Sequence, residues 1–218
     1  MKGLLKNNFY AVYANAGLFS IIMLLLGIFV IAACNAIPSL LIGYALSVMV
    51  GFSINAISGL GKECSSKWAK YKLTVPVKRT DIVKSYYISL LAWLLTGMVF
   101  AGICVVLSIL LHGYPFDRGT DILILFTAGI SLSLFMSAVF FPSFYLGGEE
   151  KSEAIIIISI LSATAIFMVI VNLINLLLGS GLTTLQLILT AGILLACALL
   201  AFVLSYPLTI LIFVKKEY

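Results

Sequence analysis

The side chains that could carry chemistry in this chain are few, and their spacing limits what they can do. Glu149 and Glu150 stand together, as in membrane metalloproteases of the Glu-Glu type. Such a site also needs histidine ligands on later segments, yet the single histidine is His112, just before Gly113 and Pro115. One histidine cannot build a two-histidine zinc site, and one in the predicted outer loop cannot pair with a serine inside a span, so the glutamates read as a solvated acidic loop. Gly61-Lys62 is followed by Glu63, and Ala56 stands where the first glycine of a P-loop would be, so no nucleotide-binding motif is present. Cys34, Cys64, Cys104 and Cys197 show no metal spacing and no obvious disulfide pairing. No metal or cofactor is expected in this chain. What remains is recognition chemistry: six of the thirteen Lys and Arg fall within Ser65 to Lys84, SSKWAKYKLTVPVKRTDIVK, interleaved with Trp68 and Tyr71.

The elements that would hold this stretch follow from composition. Of the 218 residues 63% are hydrophobic, and the mean hydropathy is +1.22, whereas roughly half the residues of a soluble domain are apolar. A spanning helix needs about 20 apolar residues. Six runs qualify, Ala16 to Cys34, Ser39 to Gly59, Tyr86 to Leu111, Ile122 to Leu146, Ala154 to Leu178 and Leu185 to Val214, and none contains Asp, Glu, Lys, Arg or His. Intramembrane catalysis, proton relay and ion coupling use ionisable groups at membrane depth, so these runs argue against an intramembrane enzyme and an ion-driven carrier. With the N-terminus inside, every Lys and Arg except Arg118 falls on the cytoplasmic side, which predicts that both termini are cytoplasmic. The net charge of +5 then reflects topology and contact with anionic lipid headgroups, with no nucleic-acid partner implied.

The expected fold is an all-α membrane protein of six transmembrane helices preceded by an amphipathic interfacial helix. The divisions are residues 1–15 for the interfacial helix, 16–61 for spans one and two, and 62–85 for a cytoplasmic loop. Spans three and four follow over 86–146, a second cytoplasmic loop over 147–153, spans five and six over 154–214, and a tail over 215–218. Leu5, Phe9, Val12 and Ala16 share one helical face, the pattern of a helix lying in the membrane surface; the alternative is a frayed tail. Ile31 to Cys34 also resembles a lipoprotein signal, although the segment before it is long for one. Gly43, Ser47, Gly51, Asn55 and Gly59 recur every four residues, a small-residue ridge suited to helix packing. Asn172 and Asn175 are polar glue or cavity lining, as is Asn55, and Pro207 should kink the sixth span.

Retention of positive charge does not explain the aromatic residues of the basic loop. Ser65 or Ser66 can cap a short helix on which Trp68 and Tyr71 are neighbours, with Lys67 and Lys70 in a second row. The residues before Pro76 should be extended, and Thr80 then caps a new helix with Asp81 at its positive end. Such a surface suits docking to a protein or anchoring at lipid headgroups. The run Trp68, Tyr71, Leu73, Thr74, Pro76, Val77, Arg79, Asp81, Ile82, Val83, Ser85 and Tyr87 resembles the first cytoplasmic loop of type 2 ABC exporter permeases. Phe141, Pro142, Tyr145, Gly147, Glu150 and Lys151 are similar to the pattern that closes that family's fourth span. Val75 departs from the Leu usual before the proline, and Gly147-Gly148-Glu149-Glu150 carries an extra Gly or acidic residue.

The resemblance implies a bacterial cytoplasmic-membrane subunit that pairs with a second permease chain and binds two copies of an ABC ATPase, which would hold ATP and Mg. Its coupling helix would be Ser66 to Lys72, with Lys67, Trp68, Lys70, Tyr71, Pro76, Arg79 and Asp81 at the docking surface. Glu149, Glu150 and Lys151 would form a second cytoplasmic contact. The nearest kind is the permeases that export phenol-soluble modulins, bacteriocin-like peptides or hydrophobic drugs. A non-transporting immunity or scaffold protein whose basic loop binds anionic lipid is the alternative.

Overall fold

A computed structural model describes residues 2–34, 37, 39–64, 79–113, 116, 119–148, 151–178 and 183–215. Their apolar runs form six α-helices: α1 Lys2–Ala33, α2 Ser39–Cys64, α3 Arg79–His112, α4 Thr120–Gly147, α5 Ser152–Leu178 and α6 Thr184–Lys215. Each is long and apolar enough to cross a membrane. The protein is a multi-pass membrane protein of the all-α class.

Contacts between helix ends establish an up-and-down course. The start of α1 meets the start of α3 through Asn8 and Ser85. The start of α3 meets the ends of α4 and α6 through Tyr87, Phe141 and Thr209, and the end of α2 lies against the start of α5, at Gly61 and Ser152. The opposite end is tied by Ser108 of α3, which donates to the Cys34 sulfur at 3.2 Å. Lys6, Lys84, Lys151 and Lys215 are exposed at the first of these ends, hereafter the basic end.

Two apolar cores meet on α2. One joins α2 through α6 around Leu90, Phe140, Phe141 and Phe202; the other joins α1, α2 and α3 around Val48, Phe52 and Trp93. In the second, the Trp93 ring stacks against Phe9, with centroids 4.9 Å apart, and faces Phe52 at 6.1 Å. Among the described glycines, Gly97 of α3 lies nearest to another helix's backbone. A Cβ there would lie 3.1 Å from the Met49 Cα and 3.3 Å from the Val48 carbonyl oxygen.

The interfacial helix expected over residues 1–15 is not a separate element, because α1 runs unbroken from Lys2 to Ala33. Its 32 residues extend about 48 Å, well beyond the roughly 30 Å of bilayer hydrocarbon. The extra turns do not lie free on a membrane surface: Asn8, Val12 and Ala16 are buried, and Val12 fills the space over Gly59. Phe9, on the same apolar stripe of the sequence, is 42% exposed while its ring stacks on Trp93.

The small-residue ridge on α2 also divides. Gly51 receives the Phe19 ring and Gly59 receives Val12, so both face α1, whereas no atom outside its own helix approaches Gly43 and Ser47 is exposed, donating back to the Gly43 carbonyl. A four-residue repeat advances about 40° per step on a helix, or about 160° from 43 to 59. The row therefore cannot stay on one face.

Candidate functional site at the basic end

Residues 65–78 hold Lys67, Trp68, Lys70, Tyr71 and Pro76 and lie outside the described residues, as do Glu149 and Glu150. What is described is the frame into which both loops run. α3 opens at Arg79, with Asp81 in its first turn where a carboxylate favours the positive end of the helix. Ile82 and Val83 turn inward while Lys84 stays exposed, so the helix expected to begin near Thr80 continues without interruption into the third span. On the other side, α4 ends at Gly148, whose φ of 82° and ψ of 172° suit a residue without a Cβ. Its N–H bonds to the Phe144 carbonyl at 3.1 Å. The second glycine of Gly147-Gly148 is thus the helix stop, and Lys151 is exposed just beyond it.

Three buried contacts tie the first turns of α3 to the bundle. The first is to α1, where the Asn8 amide donates to the Ser85 hydroxyl at 2.8 Å and Ser85 donates to the Ile82 carbonyl at 2.7 Å. The second is the Tyr87 ring, which stacks on Phe141 of α4 at 4.3 Å and packs against Phe202 and Tyr206 of α6 at 5.0 and 5.4 Å. The third is the Tyr87 hydroxyl, 2.8 Å from the Ser205 hydroxyl and 2.9 Å from that of Thr209. Ser205 donates to the Ala138 carbonyl of α4 at 2.9 Å, and Thr209 donates to the Ser205 carbonyl at 2.8 Å.

Proline explains why this polar cluster sits where it does. Pro142 has no N–H, so the Ala138 carbonyl four residues earlier lacks its helix donor. Unpaired backbone polar groups are costly in hydrocarbon, and hydroxyl side chains of neighbouring helices commonly satisfy them; here Ser205 does so. Ser205 and Thr209 flank Pro207 and share the inward face of α6, with Pro207 itself turned outward.

Two of the remaining sequence candidates face outward and one bonds within its own helix. Asn172 and Asn175 are exposed on α5, Asn172 donating to the Met168 carbonyl at 2.9 Å, so within one chain they line no cavity. Asn55 donates to the Gly51 carbonyl at 2.9 Å. A narrow cleft at the basic end, lined by Asn8, Val12, Gly59, Tyr86, Ser89 and Phe141 among others, encloses about 10 Å³, room for one water molecule at most. Ligand pockets run from about 300 to 1,000 Å³, so the cleft is too small for a peptide.

Asn8, Ser205 and Thr209 escaped the sequence reading, and Ser85 and Tyr87 entered it without a role. Their signal was faint: an Asn in the apolar stripe of α1, and hydroxyl residues two positions either side of Pro207.

The chain matches the family model described as ABC-2 family transporter protein over residues 3–214. It belongs to the ABC-2 transporter family. No curated protein and no solved structure matches the chain. The family identity agrees with the resemblance carried by the two loops and makes this chain a membrane transport component, the permease subunit of an ABC transporter. ABC-2 permeases usually work with an ATPase subunit. The basic end, where the ends of all six helices meet, is where the two loops of the resemblance enter the permease.

Proposed function

We propose that this permease exports amphipathic peptides of the phenol-soluble modulin or bacteriocin kind, or hydrophobic drugs, across a bacterial cytoplasmic membrane. Two copies of a separate ATPase, holding ATP and Mg, dock on its cytoplasmic face, and a second permease chain, identical or different, completes the transporter. The basic end is that cytoplasmic face, with both termini on it. Ser66 to Lys72 is the coupling helix, and the loop of Glu149, Glu150 and Lys151 is a second contact.

The observation that carries this reading is the attachment of α3. The helix that directly follows the basic loop is fastened in its first turns to α1, α4 and α6 at once. A push that reaches the start of α3 is therefore delivered to α1, α4 and α6 together. Spans without charge suit an apolar or amphipathic cargo and offer no site for ion coupling.

Affinity purification of the intact complex, with identification of the cytoplasmic chain that accompanies it, tests the reading. Trp68→Ala combined with Tyr71→Ala should lower recovery of the ATPase while membrane insertion is unchanged. Recovery at the unmodified level would refute the coupling-helix role. Absence of any ATPase, together with binding of the loop to anionic vesicles, would favour the immunity or scaffold alternative.

A further inference from the structure

The hydroxyl cluster around Tyr87 joins three helices where two of them are weakened. α4 lacks a backbone donor at Pro142 and α6 lacks one at Pro207. Helices bend most readily at such positions. Tyr87, Ser205 and Thr209 are buried, at 5%, 6% and 0% exposure, so the cluster is shut off from lipid and solvent.

Its bonds differ in what happens when they break. Thr209 already donates within α6, to the Ser205 carbonyl. A serine in a helix can turn its hydroxyl to a carbonyl one turn earlier, which for Ser205 is the Ala201 carbonyl. With Ser205 and Thr209 each donating to a carbonyl, the Tyr87 hydroxyl supplies the one remaining proton, shared between their two oxygens. Both α6 hydroxyls therefore keep their donor bonds when Tyr87 withdraws, whereas the Ala138 carbonyl depends on Ser205 for its donor. Hydroxyl bonds between membrane helices are individually weak. The bonds to Tyr87 can therefore break without leaving the proton of either α6 hydroxyl unpaired.

We propose that Tyr87 is a positioning residue of the transport cycle. Its hydroxyl, gripped by Ser205 and Thr209, latches the first turns of α3 to the proline-loosened part of α6, and Ser205 extends the latch to the carbonyl that Pro142 leaves open on α4. Displacement of α3 by the basic loop then moves α6 at its bend, and release of the latch lets α6 move independently. This rests on the permease reading and adds to it a route from the loop into the membrane.

The test uses the full-length permease, with whatever ATPase copurifies, in lipid nanodiscs, with spin labels at Leu91 on α3 and Leu208 on α6, both lipid-facing. The interspin distance is measured without nucleotide and after trapping with ATP and vanadate. Tyr87→Phe keeps the ring and its stacking on Phe141 but removes the hydroxyl; Ser205→Ala combined with Thr209→Val removes both of its partners from the other side and serves if the first variant does not fold. The expected result is a single narrow distribution for the unmodified protein that shifts on trapping. Both variants should show a broadened distribution before nucleotide and loss of the shift, with ATP hydrolysis retained. Variants that lower thermal stability but keep the unmodified distribution and its shift overturn the latch. If the unmodified protein brings no ATPase and shows no shift, the proposed ATPase-driven export fails, and the width without nucleotide still decides whether the latch exists.

Discussion

The amide of Asn8 and the hydroxyl of Ser205 do the same work at different depths: each reaches across to another helix and satisfies a group there. Ser205 is the more consequential, since its acceptor is a backbone carbonyl that has lost its own donor to Pro142. Ser205→Ala should destabilise the protein by about 1 kcal/mol, within the range for an interhelical bond in a membrane, read as a lower thermal unfolding midpoint in detergent. Pro142→Ala restores the N–H that the Ala138 carbonyl lacks, so Ser205→Ala should cost measurably less in that background. Equal costs in both backgrounds would show that Ser205 does not serve Ala138. Asn8→Ala removes the bond to Ser85 without opening a large void. It should leave the bundle intact and speed proteolysis of the first two turns of α1.

Among the helices, the contrast between Gly43 and Gly97 separates a small residue required by packing from one that is not. Gly97 lies against the backbone of α2, where neither the Met49 Cα nor the Val48 carbonyl can swing aside. Gly97→Val should therefore force α2 and α3 apart and lower stability by about 1–3 kcal/mol, the cost of overpacking. Gly43→Ala meets nothing within 4 Å. It should be neutral or stabilising by up to about 1 kcal/mol through helix propensity. Thermal unfolding of the two variants side by side checks both. The longer four-residue repeat drew attention to Gly43 and Ser47 and away from Gly97, although Gly97 and Ala101 are spaced by four as well. Spacing within one helix cannot report which neighbour arrives against it. For the same reason α1 could be read as two elements: polar residues in its first turns lowered the hydropathy there, and the buried partner that accepts Asn8 lies 77 residues away.

For the whole molecule, exposure is unevenly shared. Of the most apolar window in each helix, 44% is buried in α2 and α4 but 17% in α1 and α5, and α5 also turns Asn172 and Asn175 outward. Polar side chains at membrane depth usually face protein or a water-filled cavity, which supports the second permease chain of the proposed transporter. Native mass measurement in mild detergent should give two permease chains per complex, and Asn172→Leu with Asn175→Leu should shift the balance toward one. An unchanged dimer in that variant would place the contact elsewhere. By itself, the sequence determined that the chain is a membrane protein and which six runs are long and apolar enough to cross, because the cost of charge and unpaired backbone in hydrocarbon is local and can be read run by run. It also carried the loop residues by which the family is recognised, since these form contiguous motifs. The tertiary structure alone decided that α1 is one helix packed on α3, and that Tyr87, Ser205, Thr209 and the Ala138 carbonyl form one cluster. Those relations join residues 67 to 122 positions apart, and helical periodicity ranks the positions of a single helix without saying which distant hydroxyl will face them.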